Sequence, residues 1–326
     1  MYVWRMQLRR FGRLGWQISE IGYGMWGMGG RTGSDDEQSL RALERAVALG
    51  CNFFDTAYAY GAGRSERLIG QVLRQPRNQR VYVATKVPPK NNQWPAKSHY
   101  RLEEVFPADH IRESTEKSLE NLGVERIDLQ QLHVWTDAWA AADEWQRAVD
   151  ELKSEGLIEG FGISVNRWEP ANVLRALKTS LVDSVQVVYN IFDQAPEDEL
   201  FPACREQDIA VIARVPFDEG SLTGTLTLDS RWPQGDWRNM YFSRENLHAT
   251  VERVERLARE LPENMELAEL SLRFILHHPA VSTIIPGMRR VPHVERNLRA
   301  SDGRRLPDEV VTRLRKHRWD RTQVIP

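Results

Sequence analysis

Four polar side chains stand at or just after the ends of three apolar runs. Asp55 closes the run 51–55, Tyr60 follows in the next loop, Lys86 closes 81–86 and His133 closes 127–133. A carboxylate, a phenol, an ammonium and an imidazole brought together form a device for delivering a proton. A free phenol has a pKa of ~10 and holds its proton too tightly to be a fast donor near neutrality. A neighbouring ammonium stabilises the phenolate and lowers that pKa, each unit corresponding to ~1.4 kcal/mol. Lys86 is therefore expected to lower the pKa of Tyr60. An ammonium in a partly buried mouth needs a partner, and Asp55 is the natural one. His133 would donate a hydrogen bond to the reacting oxygen or to the Tyr60 hydroxyl. Each residue alone has an ordinary structural explanation; the signal is their joint placement at consecutive strand ends.

That placement requires elements to carry it. Strand candidates fall at 18–24, 52–55, 81–86, 127–133, 158–163, 184–188, 209–214 and 282–285. Their apolar density suits strands buried on both faces. Amphipathic helical stretches lie between them. One follows Ser34, which has capping-box spacing to Glu37, carries Leu40, Leu43 and Val47 on one face, and ends at Gly50. Another starts near Asp109, aligns Ile111, Thr115, Leu119 and Leu122, and stops at Gly123; a third carries Trp145, Val149 and Leu152 before Gly156. This alternation predicts an α/β fold, a single (β/α)8 TIM barrel over residues 1–326. Residues 7–17 are expected to form a hairpin plugging the barrel bottom, and 216–244 a long loop between strands seven and eight. In a parallel barrel the C-terminal strand ends share one mouth, where active sites sit.

Composition narrows the function. Lys plus Arg number 44 against 46 Asp plus Glu, a net charge of −2. That balance argues against nucleic acid or an anionic membrane as partner. The basic residues Arg313, Arg315, Lys316, Arg318 and Arg321 read as a solvated helix face, because acids flank and interrupt them. Two cysteines, Cys51 and Cys204, lack C-x-x-C spacing, and a reduced compartment fits them. No signal peptide or bilayer-spanning stretch is apparent, so a cytoplasmic location is expected. Histidine spacing does not suggest a metal. A carbonyl-trapping Lys86 is disfavoured because Asp55 would keep it charged.

The segment Asp55-Thr56-Ala57-Tyr58-Ala59-Tyr60-Gly61-Ala62-Gly63-Arg64-Ser65-Glu66 closely resembles the D-T-A-x-x-Y-G-x-G-x-S-E signature of the aldo-keto reductase superfamily. Ala84-Thr85-Lys86 and the stretch 127–133 resemble that family's lysine and histidine segments, and the likeness runs from about Leu14 to Ala300. The resemblance implies a catalytic tetrad of Asp55, Tyr60, Lys86 and His133. It also implies direct hydride transfer from C4 of NAD(P)H to a carbonyl carbon of a small-molecule substrate. No G-x-G-x-x-G follows the first strand; the family binds its dinucleotide extended across the barrel mouth. Gly24, Met25 and Trp26 are then expected near the nicotinamide, and Ser164, Asn166 and Gln186 on its carboxamide. The family pattern has Ser and Asn adjacent, whereas Val165 separates them here. Arg214 stands where many relatives place a stacking tyrosine, and a guanidinium can also stack. Pro216, Gly220 and Leu222 fall in or beside the segment that resembles the pyrophosphate wrap. Pro286, Gly287, Met288, Arg289 and Arg290, then His293 and Asn297, are expected around the adenosine end. A helix start with two arginines suits a 2′-phosphate, which favours NADPH over NADH. Trp26, Tyr60 and Trp135 are the expected substrate pocket; the aromatics of 216–244 either shape it or pack their own loop. A monomer or weak homo-oligomer is expected. The alternative is a catalytically weak, cofactor-binding regulatory subunit, since some superfamily members serve ion channels in that way.

Overall fold

The apolar runs become eight parallel strands following one another around a barrel. A computed structural model describes residues 5–30, 33 and 35–321. Strands β1 (Leu8–Phe11) and β2 (Trp16–Ser19) pair antiparallel in a hairpin. The barrel follows: β3 (Tyr23–Gly24), β4 (Phe53–Asp55), β5 (Tyr82–Val87), β6 (Ile127–Leu132), β7 (Ile158–Ser164), β8 (Ser184–Val188), β9 (Ala210–Arg214) and β10 (Val281–Ile284). Bridges from Ile21 to Ile284 and from Gly24 to Gly287 close it.

The hairpin plugs the bottom as expected. Phe11, Trp16 and Ile18 pack on the inward side chains Phe53, Ala84, Leu129, Ala210 and Ile212. Gly12 is needed there: its φ is +43°, and a Cβ would lie 2.5 Å from the Ala210 amide nitrogen. The expected first strand, 18–24, is in fact two. The chain changes partners at Glu20, whose N–H donates to Gln7 O in the hairpin (3.0 Å) and whose C=O accepts from Ile284 N in the barrel (3.0 Å).

The helices pack outside. Asp36–Ala48 is capped by Asp35, which accepts from Gln38 N at 2.7 Å, in place of the expected Ser34, which lies outside the described residues. Ala108–Leu122 buries Ile111, Thr115 and Leu122 and ends at Gly123 in the left-handed region. Asp143–Ser154 buries Trp145, Val149 and Leu152. Between β9 and β10, a 3-10 turn (Asp218–Thr223) and a one-turn helix (Arg238–Tyr241) precede the helices Arg244–Ala258 and Leu267–His277. The aromatics of this segment pack on themselves: Trp232 stacks on Phe242 at 5.0 Å, and Trp168 and Trp237 join them. The C-terminal basic residues divide. Arg318 pairs at the surface with Asp198 and Asp320, whereas Arg321 is buried among aromatic rings and carboxylates, contrary to the solvated-face expectation. Both cysteines are buried and unpaired with each other. Among the described residues no helix is long and apolar enough to cross a membrane.

Candidate active site

The barrel brings the four polar residues together. Asp55 is the last residue of β4, Lys86 lies near the end of β5, and His133 follows β6, its N–H donating to Val87 O at 3.1 Å. Lys86 is fully buried; its Nζ donates to Asp55 Oδ1 (2.6 Å), Thr56 O (2.7 Å) and Tyr60 Oη (3.4 Å). It also lies 5.1 Å from the centroid of the Tyr60 ring. The other Asp55 oxygen accepts from Gln186 Nε2 (2.7 Å) and Gln131 Nε2 (3.3 Å). The rings of Tyr60 and His133 meet edge to face at 5.7 Å.

Local chemistry fixes the Tyr60 loop. Thr56 N–H donates to Ala84 O, and Thr56 Oγ1 donates to Ser65 Oγ at 2.8 Å. Gly61 has φ +73°, and a Cβ there would lie 2.3 Å from Gly29 O. Glu66 is buried and accepts from Thr85 Oγ1 (2.6 Å) and Asn121 Nδ2 (2.8 Å), tying the following helix to β5. The small and polar residues after Asp55 thus hold the loop that presents Tyr60.

The electrostatics correct one expectation. Burial raises the Tyr60 pKa; Lys86 and Arg214 oppose this but do not overcome it. The phenol therefore keeps its proton across the neutral range. His133 is pushed well below its ordinary pKa by burial, then by Lys86 and Arg214, so its ring is neutral. Its Nδ1 is buried without a hydrogen-bond partner, as is Nε of Arg214.

The remaining expected residues divide. Gly24 donates its N–H to Pro286 O (3.0 Å), and a Cβ there would sit 2.5 Å from Ile285 O. Met25 N–H donates to Asp55 O at 2.9 Å, and Trp26 is half exposed beside it. Ser164, at the end of β7, is buried. The Asn166 amide is engaged by Ala96 O and Glu169 Oε2, both at 3.1 Å, and that of Gln186 by Asp55. Both NH2 groups are thus already engaged within the protein. Arg214 donates from Nη2 to Val165 O at 3.0 Å, and Pro216 and Leu222 are buried. A Cβ on Gly220 or Gly287 would meet open space.

Trp135 is not in the mouth. It is fully buried, packed edge to face on Trp139 and Trp145, with Nε1 donating to Asp137 Oδ1 at 3.2 Å. Besides Tyr60, the aromatic against His133 is Trp94, 46% exposed, with ring centroids 4.5 Å apart. Its signal was a tryptophan in the proline-rich loop after Lys86. Gln131 was also missed; a glutamine pair inside an apolar strand run was its signal.

At the other end, Met288 is buried, and its carbonyl accepts from the Tyr23 hydroxyl. Arg289 runs across Gly27, where a Cβ would lie 2.8 Å from Arg289 Cδ. Arg290 is the N-cap of the helix Val291–Leu298, on which His293 is exposed and Asn297 buried with Oδ1 unpartnered. Burial, then the charges of Arg290 and Arg238, lowers the Arg289 pKa, so three guanidinium groups share this region. Among the described residues no group of three or more His, Cys, Asp or Glu is placed to hold a metal ion.

A model of the Aldo/keto reductase family matches residues 20–318. The chain is 33% identical over 312 residues to the oxidoreductase YqkF of Bacillus subtilis, covering 96% of each. It is 30% identical to an NADH-specific methylglyoxal reductase of Escherichia coli, covering 87% of this chain and 90% of that one. Among solved structures, the aldo-keto reductase AKR11C1 from Bacillus halodurans in its holo form superposes with a TM-score of 0.77 at 29% identity, covering 97% and 98% of the two chains.

Proposed function

Because the chain belongs to the aldo/keto reductase family of oxidoreductases, we propose that it reduces an aldehyde or ketone to the alcohol with NADPH, Tyr60 being the proton donor. When bound, the reduced nicotinamide supplies hydride to the carbonyl carbon. Tyr60 gives its hydroxyl proton to the carbonyl oxygen as negative charge gathers there. An oxygen becoming an alkoxide is more basic than a phenolate, so a phenol with a raised pKa still gives up its proton, and it enters each cycle loaded. Lys86 stabilises the phenolate left behind, and Asp55 keeps Lys86 charged while Gln131 and Gln186 keep Asp55 in place. His133, being neutral, carries a single ring N–H, which orients the carbonyl oxygen without competing as a cationic acid. Solvent then returns the proton to Tyr60.

One observation carries the reading: the Lys86 amine bridges Asp55 and Tyr60, at 2.6 and 3.4 Å, in a fully buried position. The residues also fit a dinucleotide. Buried unpartnered polar atoms of His133 and Arg214 occur at one end and of Asn297 at the other. Arg289 and Arg290, with Arg238 beside them, suit the 2′-phosphate of NADPH, and Gly220 and Gly287 leave room for close approach. Ser164 and Arg214 would face the nicotinamide, while Trp26 and Trp94 flank the carbonyl compound. NADPH oxidation screened over aldehydes, ketones and quinones tests the proposal. Tyr60→Phe should lose about 10²–10⁴-fold in turnover on any substrate found. Retention of most activity rejects Tyr60 as the acid.

A further inference from the structure

The segment after β9 has an improbable backbone. Val215, Asp218 and Glu219 have φ of 56°, 44° and 58°, left-handed values uncommon for non-glycine residues and most of all for a β-branched valine. Such a backbone persists only where its surroundings over-determine it. Asn190 Nδ2 ties Val215 by donating to its carbonyl (3.0 Å) and to Asp193 Oδ2 (2.9 Å). Arg167 ties the two acids, reaching Asp218 Oδ1 (2.7 Å), Glu219 Oε1 (3.1 Å) and Asp193 Oδ2 (3.0 Å). Asp218 also accepts from Ser221 Oγ (2.8 Å) and Tyr241 Oη (3.0 Å).

The remaining tie comes from the far end of the chain. Arg321 Nη2 donates to Asp218 Oδ1 (2.7 Å) and Asp193 Oδ2 (2.8 Å), and Nη1 to Tyr241 Oη (2.6 Å). Its guanidinium carbon lies 4.6 Å from the Trp319 ring centroid and 5.8 Å from those of Trp168 and Tyr241. Removing Arg321 leaves three carboxylates paired with one guanidinium, Arg167, in a desolvated place. Arg214 feels Arg167 and Glu219, and Tyr60 and His133 feel Arg214, so the cluster adjoins the tetrad electrostatically.

We propose that Arg321 is a positioning residue: through Asp218 and Asp193 it latches segment 215–224 in its strained conformation, and so sets how tightly the nicotinamide dinucleotide is held. The effect on the dinucleotide rests on the reading of this segment as the pyrophosphate wrap. The full chain is compared with Arg321→Ala, Arg321→Lys and, as a control in the same tail, Arg318→Ala. Amide exchange is measured without cofactor, and NADPH affinity by quenching of tryptophan fluorescence.

In Arg321→Ala, exchange in 215–224 should rise about tenfold over the rest of the barrel, and the NADPH Kd about tenfold. The carbonyl KM at saturating NADPH should stay within about twofold. Arg321→Lys restores the charge but not the fork, so it should fall between; Arg318→Ala should match the parent. If Arg321→Ala does not fold, the lysine variant decides by the same two measurements. Unchanged exchange in 215–224, or a rise spread evenly over the protein, overturns the latch. Raised exchange with an unchanged Kd overturns its link to the cofactor. A parent chain that binds no NADPH counts against the functional reading, and exchange alone then decides the latch.

Discussion

Replacing Lys86 by methionine separates stability from chemistry at this site. The variant deletes a buried ammonium with three acceptors and strands the Asp55 carboxylate with two amide donors, Gln186 and Gln131. Stranding one member of a buried pair costs about 3–5 kcal/mol. Against a total of about 5–15 kcal/mol, that is a large fraction of what holds a domain folded. Asp55→Asn leaves a neutral acceptor in place, together with the Thr56 carbonyl, and should cost less, about 2–3 kcal/mol. The double variant carries neither charge. Its cost should therefore fall short of the sum of the singles by about 2–3 kcal/mol. Urea unfolding of the four proteins gives these values. Activity should behave differently. Lys86→Met loses at least about 10²-fold in kcat/KM, because the phenolate has lost its cation. Adding Asp55→Asn to Lys86→Met should therefore cost little further stability and restore no activity, since an asparagine cannot replace the ammonium. Single costs below about 1 kcal/mol, or strict additivity, would refute the buried pair. Activity recovering in the double variant would refute a role for the ammonium in proton transfer.

Four further outcomes are expected. Because burial, Lys86 and Arg214 depress the His133 pKa, the ring stays neutral and kcat/KM should show no histidine limb at about pH 6–7; imidazole NMR shifts that titrate there would contradict this. Burial raises Asp128 to about 6, so the folded state binds the extra proton and stability falls as pH rises from about 4 to about 6; Asp128→Asn should remove up to about 1 kcal/mol per pH unit of that downward slope, read by unfolding at several pH values. Trp94→Ala should raise the KM for aromatic carbonyls about tenfold with small aldehydes little affected, whereas Trp135→Ala should cost about 3–5 kcal/mol of stability and leave substrate preference alone, as steady-state kinetics and melting would report. Replacing Arg289 and Arg290 by alanine should raise the KM for NADPH selectively over NADH; an equal effect on both would remove the 2′-phosphate role.

Strand order, the plugging hairpin and the convergence of Asp55, Tyr60, Lys86 and His133 were legible because each depends on short-range pattern. Apolar runs of strand length mark the barrel staves, and parallel staves share one mouth. The glycines and acid after Asp55 were also legible as a motif, although their purpose, holding the Tyr60 loop against Gly29, Thr85 and Asn121, was not. The split of the first strand at Glu20 was hidden because both partners of that residue, Gln7 and Ile284, are set by the closed barrel.

The sequence by itself determined which chemical groups meet and on what scaffold, since strand periodicity and an apolar core suffice to aim strand ends at a common mouth. Only the tertiary structure decided how those groups behave. The sign of the Tyr60 shift depends on how much water is excluded around it, and exclusion is a sum over distant segments. The exchange of Trp135 for Trp94 at the mouth, the engagement of Gln186 by Asp55 and the burial of Arg321 likewise depend on contacts between residues far apart in the chain. Charge and desolvation act through space, and a linear pattern records only neighbours along the chain.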